Sequence, residues 1–185
     1  MELNTFSLRE QSIVLIGFMG VGKTTIGKAI AKKLYRDFID IDEEIEKEFN
    51  LPTTKIFETY GEKIFRQKER EIIEKFCNQK LKIISVGGGA FLQEEIKNIC
   101  LSKCIVFFLD LSWDSWKERV SMIIDSRPVL QGKNRDEMKQ LFDNRQPIYE
   151  NHHSKVTTDN KKVEEVADYI VGSLKTAWDI YEPNS

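Results

Sequence analysis

The 185-residue sequence has little cysteine, a near balance of charge and no long apolar run. Its three cysteines cannot all pair within one chain, which predicts a reducing, cytoplasmic location rather than a secreted disulfide framework. The 28 basic and 30 acidic residues give a net charge of −2, which argues against binding of nucleic acid through bulk positive charge. The longest apolar runs, 13–18 and 105–109, fall far short of the roughly 20 residues that a membrane-spanning helix needs, so no membrane partner is predicted.

Short apolar runs rich in β-branched residues alternate with amphipathic segments along the chain. Strands that are buried on both faces and alternate with helices predict an α/β three-layer sandwich, with ligands at the carboxyl ends of the strands. The length predicts a single domain, 1–185. Strands are expected at 12–16, 38–41, 82–86, 104–109 and 154–158, and helices at 22–34, 43–50, 53–60, 62–76, 93–99, 112–122, 136–144 and 163–176.

The segment GFMGVGKT at 17–24 fits the pattern G-x-x-x-x-G-K-[ST] and lies between a predicted strand and a predicted helix. Its glycines let the backbone approach phosphates, which also meet the partly positive end of the helix. We expect Lys23 to bridge the β- and γ-phosphates of ATP and the Thr24 hydroxyl to bind Mg²⁺. The other interpretation, a glycine-rich turn with a surface lysine, does not account for the flanking elements. The predicted nucleotide-binding residues here are Gly20, Val21, Gly22, Lys23, Thr24 and Thr25.

Asp40 and Asp42 follow the second predicted strand, two residues apart. In an extended segment that spacing places both carboxylates on one face, where they are aimed at the phosphate site. One carboxylate would then hold Mg²⁺ and the other would accept a proton from an attacking hydroxyl. The alternative is that they only cap the helix that begins near residue 43.

Three glycines and three arginines complete the set of candidate binding residues. The segment SVGGGA at 85–90 follows the third predicted strand, and its backbone can approach a small polar substrate and donate N–H groups to it. A flexible connection is the alternative. The three arginines are widely separated in the sequence: Arg66, Arg127 and Arg145. They are expected to bind a substrate only if the fold brings them together around a carboxylate or phosphate.

Six motifs occur along the chain in the following order: GFMGVGKTT, FIDID followed by EEIE, GEKIFRQKE, SVGGGA, SRPVL and RQPIY. In this order and approximate spacing they resemble the shikimate kinase family over about residues 12–172. A P-loop alone occurs in many families, whereas its combination with G-E-x-x-F-R-x-x-E, a triple glycine and R-P-x-L is highly specific.

The resemblance implies a P-loop NTPase fold with a five-stranded parallel sheet of order 2-3-1-4-5. It also implies transfer of the ATP γ-phosphoryl group to the 3-hydroxyl of shikimate in chorismate and aromatic amino-acid biosynthesis, with Mg²⁺ near Thr24 and Asp40. Lys23, Asp42 and Arg127 would be catalytic: Asp42 as the base, and Arg127 at the transferred phosphate and the nucleotide. The residues implied to bind shikimate are Asp42, Phe57, Phe65, Arg66, Glu69, Gly87, Gly88, Gly89 and Arg145.

The resemblance also implies two functional regions within the domain, and the chain departs from the family pattern at one position. A substrate-binding helical region is implied at 43–80 and a mobile lid at 121–135, in a protein that acts as a monomer. Many family members have an arginine that stacks on adenine seven positions before the lid arginine, where this chain has Val120. Arg119, its neighbour, is therefore the residue that we expect at the nucleotide.

Two other functions stay open at this point. Another small P-loop kinase would phosphorylate gluconate or a nucleoside monophosphate, because the fold alone does not fix the acceptor. A regulatory module would bind the nucleotide without transferring its phosphate. The triple glycine together with Arg66 and Arg145 argues against the first. The second is opposed by the intact set of residues expected for catalysis, which are Lys23, Thr24, Asp40, Asp42 and Arg127.

Overall fold

The computed structural model describes residues 6–183, which form a five-stranded parallel sheet in the order β2-β3-β1-β4-β5. This order and the parallel pairing of each neighbouring pair confirm the expected fold. The strands are β1 (Ile13–Ile16), β2 (Asp37–Asp40), β3 (Lys82–Ser85), β4 (Ile105–Asp110) and β5 (Ser154–Thr157).

Seven α-helices cover the two faces of the sheet within the described range. Short 3-10 turns follow several of them, and three such turns make up much of the predicted lid. No helix among residues 6–183 combines the length and apolar character that crossing a membrane requires. The helices are α1 (Lys23–Leu34), α2 (Ile41–Phe49), α3 (Thr53–Cys77), α4 (Glu94–Lys103), α5 (Trp113–Arg119), α6 (Arg135–Arg145) and α7 (Val163–Tyr181).

The centre of the sheet is apolar on both faces, as the sequence of its strands predicts. All four residues of β1 are buried, and β1 lies between β3 and β4. Burial of such a strand stabilises the fold by about 1.5 to 3 kcal/mol per large apolar side chain. The polar residues that follow β1, β2 and β3 therefore come together at one edge of a rigid platform.

Several helix boundaries differ from those predicted; α4 and α7, for example, end at Lys103 and Tyr181 and not at 99 and 176. Ile41, expected to end a strand, begins α2, because Asp40 caps the helix and Ile41 is fully buried. The two helices expected at 53–60 and 62–76 run together as α3, with a break at Gly61, whose φ of 81° is not helical. The helix expected at 112–122 ends at Arg119 and continues as a 3-10 turn.

The three cysteines, Cys77, Cys100 and Cys104, are buried and unpaired. The Sγ atoms of Cys77 and Cys100 are 3.9 Å apart, which is a contact between two thiols and not a disulfide. The contact with the Cys100 thiol, together with burial, raises the pKa of Cys77 against the opposing influence of Cys104, so this thiol stays protonated and unreactive.

Candidate active site

The P-loop connects the end of β1 to the start of α1, as its sequence predicts. Gly20 and Gly22 have φ angles of 81° and 101°, in the region that favours glycine, so the loop depends on the lack of a side chain at these positions. Gly22 immediately precedes α1 and is its N-terminal cap residue. The unpaired N–H groups of the first turn of α1 therefore lie at the loop, which suits phosphate binding.

Lys23 is buried inside this loop rather than extended into solvent. Its Nζ donates to the carbonyl oxygen of Gly17 at 2.8 Å and to that of Phe18 at 3.1 Å. Burial, with a further contribution from the nearby Arg127 charge, lowers the pKa of Lys23 to about 7. The loop thus holds an amine whose positive charge a bound polyphosphate would stabilise.

Asp40 caps α2 and also contacts Thr24. Its Oδ2 accepts a hydrogen bond from the Thr24 hydroxyl at 2.8 Å, while its Oδ1 caps α2 by accepting from the backbone N–H groups of Asp42 and Glu43. The expectation that Asp40 and Asp42 share one extended segment is wrong, because Asp42 lies in the first turn of α2. Both carboxylates nevertheless line the cavity beside the P-loop.

The pair Thr24 and Asp40 has the donor chemistry of a magnesium site. A hydroxyl and a carboxylate are oxygen ligands of the kind that Mg²⁺ prefers, and Mg²⁺ commonly uses one or two carboxylates together with substrate phosphates. Among residues 6–183 there is no group of three or more His, Cys, Asp or Glu side chains that could hold a metal by itself. The protein donors present therefore fit an ion that is bound jointly with a nucleotide.

Asp42 and Arg127 meet at the centre of the site. Nη1 of Arg127 donates to Oδ2 of Asp42 at 2.9 Å. Burial raises the pKa of Asp42, and the positive charge of Arg127 opposes that change. Arg127 comes from the predicted lid, just before a 3-10 turn at Pro128–Leu130, so this ion pair connects the lid to α2.

Arg66 and Arg145 converge on the triple-glycine loop. A Cβ atom added to Gly89 would lie 2.6 Å from Nη2 of Arg66 and 2.7 Å from Nη1 of Arg145, so both guanidinium groups pack against this glycine. Nη1 of Arg145 also donates to the carbonyl oxygen of Gly88 at 3.1 Å. The two arginines come from α3 and α6, far apart in the sequence, and the fold brings them together as the sequence-based hypothesis required.

Glu69 lies beside these arginines and is fully buried. Its Oε1 accepts from Nη1 of Arg66 at 2.8 Å. Burial raises the pKa of Glu69 to about 7, although Arg66 favours the ionised form. The carboxylate thus holds Arg66 in place at the cost of a large loss of solvation.

The other two glycines of the loop allow close approach on both sides. A Cβ atom on Gly87 would lie 3.2 Å from both Oδ1 of Asp42 and Oε2 of Glu69. On Gly88 it would lie 3.0 Å from the backbone nitrogen of Met19 in the P-loop. The loop is therefore part of the wall between two cavities. This close packing accounts for its three glycines, so they need not be explained as a flexible connection.

Two adjoining cavities contain most of the predicted residues. One cavity is lined by residues of the P-loop and by Asp40, and we call it the phosphate cavity. The other, the acceptor cavity, has the aromatic pair Phe57 and Phe65, whose ring centroids are 4.6 Å apart, together with Arg66, Glu69 and Arg145. Both cavities are lined by Met19, Asp42, Gly87, Gly88 and Arg127.

A third cavity extends the phosphate cavity away from the acceptor. Arg119 lines it with Val21 and Thr25, and Nη1 of Arg119 donates to the carbonyl oxygen of Val21 in a long hydrogen bond of 3.5 Å. Lys161 lies at the same cavity. This places Arg119 on the nucleotide side, while its proposed contact with adenine stays a prediction.

Several residues at the site are absent from the sequence-based set. Met19, Thr53, Pro128 and Val129 line the acceptor cavity. Three of them lie inside the quoted motifs GFMGVGKTT and SRPVL, which is a signal that could have identified them. Thr53 lies outside all of the motifs, and nothing local in its sequence indicates a role.

Two buried hydrogen-bond donors that fix the backbone of the site were also missed. The Tyr149 hydroxyl donates to the carbonyl oxygen of Gly88 at 2.5 Å. Nε1 of Trp116 donates to the carbonyl oxygen of Met19 at 2.6 Å. Tyr149 is part of the motif RQPIY, whereas Trp116 lies in α5 and resembles an ordinary core residue in the sequence.

Comparison with known proteins agrees with this geometry. The model of the family described as shikimate kinase matches residues 19–175. A shikimate kinase of Oceanobacillus iheyensis is 67% identical over 183 residues, which cover 99% of this chain and 100% of the relative. A shikimate kinase of Bacillus subtilis is 60% identical over 177 residues, or 95% of each chain.

Similarity to a solved structure extends the comparison to three dimensions. A shikimate kinase from Acinetobacter baumannii, solved in complex with shikimate, superposes with a TM-score of 0.86 at 30% identity, covering 91% of this chain and 94% of that one. With a family model that spans most of the sequence and relatives this similar along their whole length, the chain belongs to the shikimate kinase family.

Proposed function

We propose that the chain transfers the γ-phosphoryl group of ATP to the 3-hydroxyl of shikimate, giving shikimate 3-phosphate and ADP. One observation carries this proposal: the phosphate cavity and the acceptor cavity meet at Asp42 and Arg127. A phosphoryl donor and a hydroxylated acid bound in the two cavities would face each other across these residues. The relatives named shikimate kinase, and the one solved with shikimate, support this choice of acceptor.

In the nucleotide half, backbone and ammonium groups would hold the phosphates. We place the β- and γ-phosphates of ATP at the N–H groups of the P-loop and at Nζ of Lys23. The negative charge of the phosphates would compete with the carbonyl groups of Gly17 and Phe18 for this ammonium group and keep it protonated. The rest of the nucleotide would extend past Val21 and Thr25 toward Arg119.

Thr24 and Asp40 would hold Mg²⁺, because their oxygen atoms already meet beside the P-loop. When bound, the ion neutralises charge that builds up on the phosphate oxygens. The Thr24 hydroxyl could keep its hydrogen bond to Asp40 while one of its two lone pairs coordinates the ion.

In the acceptor half, Arg66 and Arg145 would bind the carboxylate of shikimate. Two converging guanidinium groups are suited to a planar carboxylate, and they explain why a protein with a net negative charge has a positively charged cavity. The rings of Phe57 and Phe65 would pack against the carbon ring, and Gly87 to Gly89 would line it. Glu69 would act by holding Arg66.

Asp42 and Arg127 would act on the reacting atoms. Phosphoryl transfer needs positioning and neutralisation of charge more than covalent help, and in a loose transition state the hydroxyl loses its proton late. Asp42 would orient the 3-hydroxyl and accept its proton as the new O–P bond forms and the bond to ADP breaks. Arg127, placed between Asp42 and the P-loop, would stabilise the negative charge of the transferred group.

A release assay for ADP tests the proposal directly. The protein is incubated with ATP and Mg²⁺ and with shikimate, gluconate or a nucleoside monophosphate in separate reactions. ADP release that depends on shikimate alone is the expected result. Release with another acceptor would contradict the substrate assignment but keep the kinase, and ATP binding without turnover in any reaction would support a regulatory module.

We also propose that the chain acts as a monomer in the cytoplasm. Both cavities are built from residues of one chain, so the proposed reaction needs no second subunit. The three buried, unpaired cysteines are compatible with a reducing compartment.

A further inference from the structure

Gln93 makes two hydrogen bonds at the acceptor cavity and has no part in the proposed mechanism. It lies between the turn that follows the triple glycine and the first residue of α4. Its Nε2 donates to Oε1 of Glu69 at 3.1 Å and to the carbonyl oxygen of Arg66 at 3.2 Å. Gln93 thus contacts both the side chain that holds Arg66 and the backbone of Arg66 itself.

Glu69 depends on very few hydrogen-bond donors. Its Oε1 accepts from Arg66 and Gln93, whereas its Oε2 is buried and has no hydrogen-bond partner among residues 6–183. Loss of one donor from a buried carboxylate leaves charge unsatisfied and favours a different side-chain position or a different protonation state. Either change would alter the position of the Arg66 guanidinium.

We propose that Gln93 is a positioning residue for binding of the substrate carboxylate: it holds Glu69 and the backbone of Arg66 so that the guanidinium group stays beside that of Arg145. The inference rests on the proposed function, in which these two arginines bind the carboxylate of shikimate. A neutral amide suits this position, since it donates a hydrogen bond without adding a charge to the pair formed by Glu69 and Arg66.

The charged groups around Glu69 determine what a pH measurement would show. Arg66 on α3 favours its ionised form, Asp42 on α2 disfavours it, and the Gln93 hydrogen bond favours it. Burial, the largest influence, raises the pKa of Glu69 to about 7. Removal of the Gln93 donor should raise this pKa further, so the midpoint in the pH dependence of shikimate binding should move to higher pH.

The test compares the wild type with Gln93→Met, which keeps the length of the side chain but cannot donate. We expect the shikimate KM to rise about fivefold, because both hydrogen bonds of the Gln93 amide are lost, with kcat and the ATP KM unchanged. The pH midpoint for shikimate KM should move upward. Gln67→Met is the matched control, because Gln67 on α3 makes a similar hydrogen bond to Glu71 on the exposed surface.

The methyl ester of shikimate separates this role from a general structural effect. Because the ester lacks the carboxylate charge, the KM difference between wild type and Gln93→Met should largely disappear with it. An equal loss with both acceptors, or an unchanged shikimate KM and pH midpoint, would overturn the inference. A wild type that does not phosphorylate shikimate would instead refute the proposed function itself.

A second variant keeps the inference testable if Gln93→Met proves unstable. Gln93→Glu retains the shape of the side chain and places a second carboxylate against Glu69, so the two should share a proton at low pH. We expect its shikimate KM to be raised at pH 8 and to fall toward that of the wild type at pH 6. A KM equal to that of the wild type at both pH values would contradict the proposed role.

Discussion

The nucleotide half and the acceptor half of this site are built in different ways. The nucleotide half comes mainly from one contiguous segment, 17–25, and depends on backbone groups and on glycines with positive φ. The acceptor half is assembled from side chains on α2, α3 and α6 together with the glycine loop. A short motif can therefore encode phosphate binding, whereas the choice of acceptor depends on how the whole chain folds.

The two halves also have different electrostatic states. In the nucleotide half, burial lowers the pKa of Lys23 to about 7, because the carbonyl contacts and the nearby carboxylates of Asp42 and Asp40 do not offset the loss of solvation. In the acceptor half, the buried Glu69 already has the guanidinium of Arg66 beside it. The nucleotide half thus gains its charge balance when phosphates bind, whereas in the acceptor half one of the two arginines is already paired with a buried carboxylate.

The largest expected effect comes from removing the P-loop amine. Lys23→Ala should lower kcat by about 10²- to 10³-fold for any acceptor, because it removes a preorganised positive charge from the transferred group. Steady-state kinetics with saturating ATP and shikimate measure this change. Lys32→Ala, an exposed lysine on the same helix, is the control. Near-normal turnover of Lys23→Ala would contradict the role of the P-loop.

Removal of one acceptor arginine should affect a single substrate. Arg145→Ala should raise the shikimate KM by a factor that corresponds to about 2 to 4 kcal/mol, since a charged hydrogen bond to the carboxylate is lost. The ATP KM should stay nearly constant. Arg135→Ala, at the exposed start of the same helix, is the control. If shikimate kinetics are unchanged, Arg145 does not bind the carboxylate.

Substitution of Gly88 should weaken binding of both substrates, because this residue contacts both halves of the site. A Cβ atom there would lie 3.0 Å from the backbone nitrogen of Met19, so Gly88→Ala should displace both the glycine loop and the P-loop. We expect both KM values to rise about tenfold, as overpacking commonly costs about 1 to 3 kcal/mol. An increase in only one KM would show that the halves are mechanically separate.

Gly172→Ala is the control for this substitution. Gly172 lies in α7, and an added Cβ atom would meet no atom within 4 Å. The alanine should leave the kinetics unchanged and stabilise the fold by about 0.5 to 1 kcal/mol, because it reduces the conformational freedom of the unfolded chain.

The low pKa of Lys23 predicts uptake of protons when ATP binds. At pH 8 an amine with a pKa of about 7 is mostly neutral in the free protein, and bound phosphates should restore its proton. We expect uptake of roughly 0.9 proton per ATP at pH 8, and an affinity for ATP that falls as the pH rises above 7. Calorimetry in two buffers of different ionisation enthalpy measures the uptake, and the same uptake in Lys23→Met would assign it to another group.

The smallest effect is expected at Arg119. Its hydrogen bond to the Val21 carbonyl is long, so Arg119→Ala should raise the ATP KM only about threefold and leave the shikimate KM unchanged. A larger rise would indicate that Arg119 makes a further contact with the nucleotide. An unchanged ATP KM would remove Arg119 from the nucleotide site.

The parts of the site that the sequence predicts are those with local signals. The P-loop is recognisable because its backbone needs glycines with positive φ, and the triple glycine because a Cβ atom at any of its positions would lie within 3.2 Å of a neighbouring atom. Asp42 was expected in the site for the wrong reason, since the helix begins two residues earlier than predicted. The cap formed by Asp40 is a local contact, which the capping alternative allows for, whereas the burial of Ile41 depends on tertiary packing.

The residues that the sequence does not predict act over long distances along the chain. Gln93 contacts Glu69 across 24 positions, and Trp116 contacts Met19 across 97. A glutamine at the start of a helix and a tryptophan in an apolar face are common in any sequence, so no local pattern distinguishes them. Their roles become visible only when the fold brings the partners within hydrogen-bond distance.

The contact between Gly88 and Met19 has a consequence for how acceptor specificity can be redesigned. The wall shared by the two cavities there is backbone against backbone, and it leaves no side chain to exchange. A change of acceptor would have to be made elsewhere in the lining of the acceptor cavity, where Phe57 and Val129 present replaceable side chains. The fold therefore offers one fixed wall for the transfer chemistry and one variable wall on which new substrates can be accommodated.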